Sequence, residues 1–120
     1  MLYFFDTYAI IEILQGNSAY EQYKDMPIVT TMANFGEIYY SLLKGSTEEL
    51  ADESLQKIKF QFIELTQPAV KEAMQFRYKQ KIIKLSYIDC FGYITAKQNN
   101  MLFLTGDQSF AHFENVEFVK

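Results

Sequence analysis

Tryptophan is absent from this sequence, cysteine occurs once, proline twice and glycine five times. So few turn-forming residues, beside 11 Phe and 9 Tyr in a chain that is 49% hydrophobic, exclude a disordered or fibrous protein. No repeat or low-complexity stretch is visible. The lone Cys90 has no partner for an intramolecular disulfide and offers no Cys-based zinc site, which fits a reducing compartment, with the cytoplasm as the expected location. No apolar run approaches the roughly 20 residues of a membrane span, and the apolar residues 2–5 meet Asp6 too early for a signal peptide. A soluble protein without a membrane partner is expected.

Positive charge is scarce as well. With 11 Lys and Arg against 15 Asp and Glu, the net charge is -4, which counts against a nucleic-acid partner because phosphate contacts draw on cations. The distribution softens that objection. Residues 71–84 carry Lys71, Arg77, Lys79, Lys81 and Lys84 against the lone acid Glu72. Such a run is ordinarily a solvated helix face; its functional reading is a guide for a phosphate backbone.

What is present is enough apolar mass, in 120 residues, for one core, so residues 1–120 are expected to form a single domain. Short β-branched or aromatic runs at 2–5, 28–31, 60–65, 101–104 and 116–119 read as strands. Between them lie helical patterns after Asp6, from Asn17 to Tyr23, over 32–43, from Ser46 or Thr47 through Ile58, from Thr66 and Pro68 through the basic run, and after Ser86. At about 100° per residue, Met32, Phe35, Ile38, Tyr39, Leu42 and Leu43 gather on one side of the 32–43 helix, and Ala33, Asn34, Glu37, Tyr40 and Ser41 on the other. Apolar strands separated by helices predict parallel β-α-β units. The expected fold class is α/β, a three-layer α/β/α sandwich with a mainly parallel central sheet, whose functional crevice lies beyond the carboxyl ends of the strands.

The acids fall at that edge. Of five aspartates, Asp6, Asp89 and Asp107 stand at element junctions among apolar residues, and Glu37 lies in the helix after the second strand. Each has an architectural role open to it. Asp6 can cap the first helix, which contributes about 1 kcal/mol; Asp89 can complete a capping box with Ser86; Asp107 can cap the turn at Gln108; Glu37 can be a solvated surface acid. Together they are harder to dismiss, because four converging carboxylates repel one another unless a cation lies between them. Hard oxygen ligands without His or Cys suit Mg²⁺ or Mn²⁺ over zinc.

Four segments carry a resemblance: Phe4-Phe-Asp6-Thr-Tyr-Ala-Ile-Ile, Thr30-Thr-Met-Ala-Asn-Phe-Gly-Glu37, Leu85-Ser-Tyr-Ile-Asp89-Cys-Phe-Gly, and Phe103-Leu-Thr105-Gly-Asp107-Gln-Ser-Phe110. In this order the chain resembles a PIN domain, the small metal-dependent ribonuclease domain of VapC-type toxins, over essentially its whole length. The resemblance implies that Asp6, Glu37, Asp89 and Asp107 are the catalytic and metal-binding acids, with Mg²⁺ or Mn²⁺ as cofactor and Thr105 supporting the last acid. It implies an RNA substrate cut at phosphodiester bonds, by endonuclease rather than exonuclease action. Lys71, Arg77, Lys79, Lys81 and Lys84 are then candidate RNA contacts; Tyr8, Tyr40 and Tyr87 are available for stacking, although a tyrosine is more often scaffold. A cognate antitoxin and a homodimer are the implied protein partners. The alternatives are a housekeeping RNA-processing nuclease of the same fold and a non-catalytic PIN-like module that binds RNA or protein. Phosphotransferases with a nucleophilic aspartate are set aside, since the haloacid dehalogenase type needs a second Asp where this chain has Tyr8.

Overall fold

A computed structural model describes residues 2–120. Five strands, β1 (Tyr3–Phe5), β2 (Ile28–Thr30), β3 (Phe60–Phe62), β4 (Leu102–Thr105) and β5 (Val116–Phe118), pair in the order β3-β2-β1-β4-β5, and every pairing is parallel. Five α-helices connect them: α1 (Thr7–Leu14), α2 (Met32–Gly45), α3 (Glu48–Gln56), α4 (Gln67–Lys79) and α5 (Tyr87–Gln98). Short 3-10 turns cover Ser18–Tyr23 and Gln108–Phe110. The expected fold class is the observed one.

The alternation of strand side chains divides the interior in two. Phe4, Val29 and Phe103 point to one face, where they pack with Ala69 and Ala73 of α4 and Cys90, Tyr93 and Ile94 of α5. Their neighbours Phe5, Ile28 and Leu104 point to the other, against Ala9 and Ile10 of α1, Tyr20 and Tyr23 of the turn Ser18–Tyr23, and Ile38 of α2. Burial of both faces is why the strands read as continuous apolar runs rather than as alternating ones.

Helix α5 lies close to the sheet because of Gly92. A Cβ built there would come within 2.9 Å of Phe4 Cε1 and 3.2 Å of Phe103 Cε1, two rings stacked across β1 and β4. The missing side chain lets the start of α5, and with it Asp89, approach the ends of the two central strands.

Two details depart from the sequence reading. The strands are shorter than expected: β3 stops at Phe62 and the terminal strand at Phe118, while β4 runs one residue further, to Thr105. On α2, Met32 is 61% exposed and Asn34 is fully buried, the reverse of their places on the helical projection. Polar bonding makes the exchange favourable. The Thr31 hydroxyl, which caps α2, donates to Asn34 Oδ1 at 2.7 Å, and Asn34 Nδ2 donates to the Thr7 hydroxyl at 3.1 Å. A buried amide with such partners joins the first turns of α1 and α2.

Candidate active site

The chain runs outward from β1 to β2 to β3, then crosses back through α4 and α5 to β4 on the other side of β1. Beyond the carboxyl ends of β1 and β4 the connections therefore leave in opposite directions, and a crevice opens at such a switch point. Here it is a cleft of about 490 Å³ lined by Asp6, Thr7, Tyr8, Glu37, Tyr40, Ser41, Lys44, Asp89 and Asp107. All four acids singled out in the sequence line it. A hollow of similar size, about 450 Å³ between α1, α2 and α3, is lined by Ile11, Leu14, Leu42 and Leu50 among others and holds none of them.

Asp6 is the deepest of the four, only 2% exposed. It stands at the N-cap position of α1, but its side chain makes no capping bond. Instead Oδ2 accepts a 2.7 Å hydrogen bond from the Thr105 hydroxyl, and Oδ1 is buried without a partner. Burial pushes its carboxyl up to about 7; the Thr105 bond and, more weakly, the nearby Thr7 amide oppose this, while the charges of Asp89 and Glu37 add to it. A buried carboxylate oxygen left unsatisfied is costly and calls for an explanation.

Asp89 and Asp107 each combine an architectural bond with an unengaged oxygen. Asp89 Oδ2 accepts from the Ser86 amide at 3.0 Å while Ser86 Oγ accepts from the Asp89 amide, so the capping box expected from Ser86 is present. Asp107 Oδ1 accepts from the Ser109 amide at 2.9 Å and caps the turn Gln108–Phe110. Among the described residues, neither Asp89 Oδ1 nor Asp107 Oδ2 has a hydrogen bond. Burial also raises the Asp89 carboxyl above the usual range, opposed by the Ser86 bonds and reinforced by the charge of Asp107. Asp6 thus feels Asp89 and Glu37, and Asp89 feels Asp107, which makes the four one electrostatic unit.

Thr105, expected beside the last acid, also reaches the first, a contact the sequence did not reveal. Its hydroxyl donates to Asp6, at the first strand end, and accepts from the Asp107 amide at 3.1 Å. It bridges the two acids rather than serving the last one alone. Gly106 beside it is required by packing, because a Cβ there would overlap the Tyr8 ring and the Val119 carbonyl oxygen.

Among the described residues, no three Asp, Glu, His or Cys side chains draw together tightly enough to enclose an ion alone. The acids form no closed cage, which leaves room only for a hydrated ion held directly by one or two of them. Mg²⁺ retains several waters and binds directly to one or two carboxylates, whereas a closed cage is the habit of structural zinc or calcium. The unpartnered Asp6 Oδ1 and the free oxygens of Asp89 and Asp107 are the donors on offer.

The basic residues divide. Arg77, Lys81 and Lys84 line a shallow groove of about 320 Å³ together with Ser86, whose hydroxyl and amide are bonded to Asp89, so the groove adjoins the acidic cleft. The Arg77 guanidinium lies 4.5 Å from the Tyr87 ring centroid while its Nε donates to the Leu85 carbonyl. Lys79 is exposed at the end of α4 and lines neither hollow. Lys71 lies toward the other end, where the neighbouring Glu72 accepts from Gln98 at the close of α5, a 12-residue helix about 18 Å long. The cleft residue missed in the sequence is Lys44. It follows Glu37, Tyr40 and Ser41 at the spacing i, i+3, i+4, i+7, a pattern that marks one helix face.

A parallel α/β sheet with a carboxylate-lined cleft at its switch point defines the class of protein. A PIN domain family model matches residues 3–116, and the chain belongs to that family. Among solved structures, it superposes on a chain of VapBC2 from Rickettsia felis bound to a promoter DNA fragment, with TM-score 0.80, 16% identity and 100% of both chains covered. A toxin-antitoxin complex from Klebsiella pneumoniae gives TM-score 0.73 at 20% identity, over 96% of this chain and 95% of that one. VapC20 from Mycobacterium tuberculosis, described as a sarcin-ricin loop cleaving toxin, gives 0.74 at 14% identity over 94% and 97%. No curated protein matches the chain.

Proposed function

We propose that residues 1–120 form a single divalent-metal-dependent ribonuclease unit that hydrolyses RNA phosphodiester bonds as the toxin of a VapBC-type pair in the cytoplasm. The observation that carries the reading is Asp6 Oδ1, a buried carboxylate oxygen without a hydrogen-bond partner, in a residue that lines the switch-point cleft of a PIN domain together with Glu37, Asp89 and Asp107. Asp6 together with Asp89 or Asp107 would hold the ion directly, and the remaining acids of the four, Glu37 among them, would act on it through bound water. A Mg²⁺ or Mn²⁺ ion bound there would supply Lewis-acid chemistry, making a water more acidic and offsetting negative charge that develops on the phosphodiester.

The chain's own residues set the stage for that chemistry. Thr105 fixes the orientation of the Asp6 carboxylate and the backbone of Asp107. Ser86 holds Asp89 in one rotamer at the start of a rigid helix. Bonds of this supporting kind commonly change metal affinity or activity by 10- to 100-fold when removed. Arg77, Lys81 and Lys84 receive the phosphate backbone leaving the cleft, with Lys71 and Lys79 as weaker, outlying contacts. Internal cleavage is favoured by a cleft that continues into a groove. An antitoxin partner is supported by the toxin-antitoxin assemblies in which similar folds occur; its segment covering the acidic cleft, and a homodimer, belong to the same proposal.

The test is an RNase assay with Mg²⁺ or Mn²⁺, an EDTA control and the Asp89→Asn variant. Cleavage that needs the metal and falls at least 100-fold in the variant is expected, with the circular dichroism spectrum unchanged. Full activity of Asp89→Asn in a clean preparation would overturn the reading.

A further inference from the structure

We infer that Lys44, with the ring of Tyr40 beside it, is a substrate-positioning residue that takes a phosphate of single-stranded RNA off the scissile bond while Tyr40 stacks a base. This rests on the ribonuclease reading and adds to it two residues that hold the strand beside the cleft.

Lys44 is the only cation lining a cleft that four acids line, yet it forms no ion pair among the described residues; the ion pairs there are Lys24–Glu21 and Lys97–Glu114. Its ammonium is 5.1 Å from the Tyr40 ring centroid, within the roughly 6 Å reach of a cation–π contact. A cation that sits beside acids without pairing to them is available to an incoming anion. Helix geometry fixes where that anion would lie. Glu37 and Lys44 are seven residues apart on one face of α2, so the positive end of the face is about 10 Å from its acidic end. The ammonium therefore meets the strand at a neighbouring phosphate and not at the bond held by the acids.

Tyr40 is 64% exposed and its hydroxyl makes no hydrogen bond among the described residues, so neither core packing nor a polar anchor explains it. An exposed ring next to a cation is the element with which proteins hold single strands, by base stacking together with phosphate attraction. A duplex keeps its bases stacked inside and cannot use such a ring. The competing role for Lys44 is local, since a cation in the last turn of α2 also complements the helix C-terminus. That role changes stability and leaves RNA affinity alone.

The experiment measures anisotropy of a fluorescein-labelled, mixed-sequence 12-nucleotide RNA, single-stranded or annealed to its complement, across 25–200 mM KCl, using the Asp89→Asn background to block cleavage. Adding Lys44→Ala should weaken single-strand binding five- to tenfold at low salt and reduce the salt slope by about 0.7, the value of one phosphate contact on a single strand. Lys44→Arg should restore both, Tyr40→Ala should cost at least fivefold on the single strand and nothing on the duplex, and Tyr40→Phe should bind as the parent does. In the Asp89-containing enzyme, Lys44→Ala should raise KM with kcat within twofold. Unchanged affinity and salt slope in Lys44→Ala, with only the melting temperature moved, overturn the inference even if RNA is cleaved. Absence of any metal-dependent cleavage by the parent enzyme overturns the ribonuclease reading instead, and the binding arm still decides the role of Lys44.

Discussion

Asp6 carries the largest electrostatic cost identified at the cleft. Its carboxyl is raised by burial from 3.8 to about 7 in the folded chain and returns to its ordinary value on unfolding. Folding therefore favours the protonated form. In the metal-free protein this contribution is fully present below about pH 4, and it is lost as pH rises toward 7. The difference of about 3 pKa units corresponds to on the order of 4 kcal/mol. Asp89, raised in the same direction, adds to the trend. Thermal unfolding in EDTA should accordingly show a melting temperature that falls from pH 5 to pH 8, and Asp6→Asn, which cannot ionise, should flatten most of that slope. An equal slope in the variant would mean that other groups carry the pH dependence. Cys90, by contrast, is a packing residue: it is fully buried, and burial holds its thiol up at about 11.

At the scale of elements, α5 is the piece on which position and cost meet. Replacing Gly92 by Ala would gain up to about 1 kcal/mol of helix propensity in an open setting. Here the new methyl meets the Phe4 and Phe103 rings, and overpacking of a core costs about 1–3 kcal/mol. Gly92→Ala should thus be destabilising by about 1–2 kcal/mol in urea unfolding, and it should lower activity by pushing the Asp89 end of the helix away from β1. A more stable variant would show that the rings give way without cost. The elements also show what could be read in advance. Apolar strands alternating with helices announced the parallel sheet, and Ser86 with Asp89 announced the cap of α5. The place of Glu37 on its helix put Tyr40 and Ser41 beside it. Less was legible where tertiary contacts decide. Helical periodicity placed Asn34 on the outer face, but its bonds to Thr31 and Thr7 bury it. The Thr105 hydroxyl reaches Asp6 only because β4 lies next to β1, a pairing no local pattern encodes. Lys44 escaped notice because a lysine near a helix C-terminus is ordinary; only the cleft gives it a neighbourhood.

For the whole molecule, the acidic balance and the proposed RNA substrate are reconciled by placement. A net charge of -4 is spread over the surface, while Arg77, Lys81 and Lys84 gather in the groove that adjoins the cleft. An ion bound among the acids would offset about half of the negative charge of the four carboxylates, and so lower the repulsion of an incoming phosphate. Binding to the native state alone also stabilises it, by about 2.7 kcal/mol when the ion is at 100 times its Kd. Mn²⁺ titration should therefore raise the melting temperature of the parent protein at pH 8 by several degrees and leave that of Asp6→Asn nearly unchanged. A protein indifferent to Mn²⁺ would be a non-catalytic member of the family. The bond from Thr105 to Asp6 spans 99 positions of the chain. Because the first strand is synthesised before the fourth, a growing polypeptide carries Asp6 through that whole interval without the hydroxyl that aims it. The proposed site is consequently completed only once Thr105 has left the ribosome and β4 has docked beside β1, so products truncated before Thr105 lack the bond that orients Asp6.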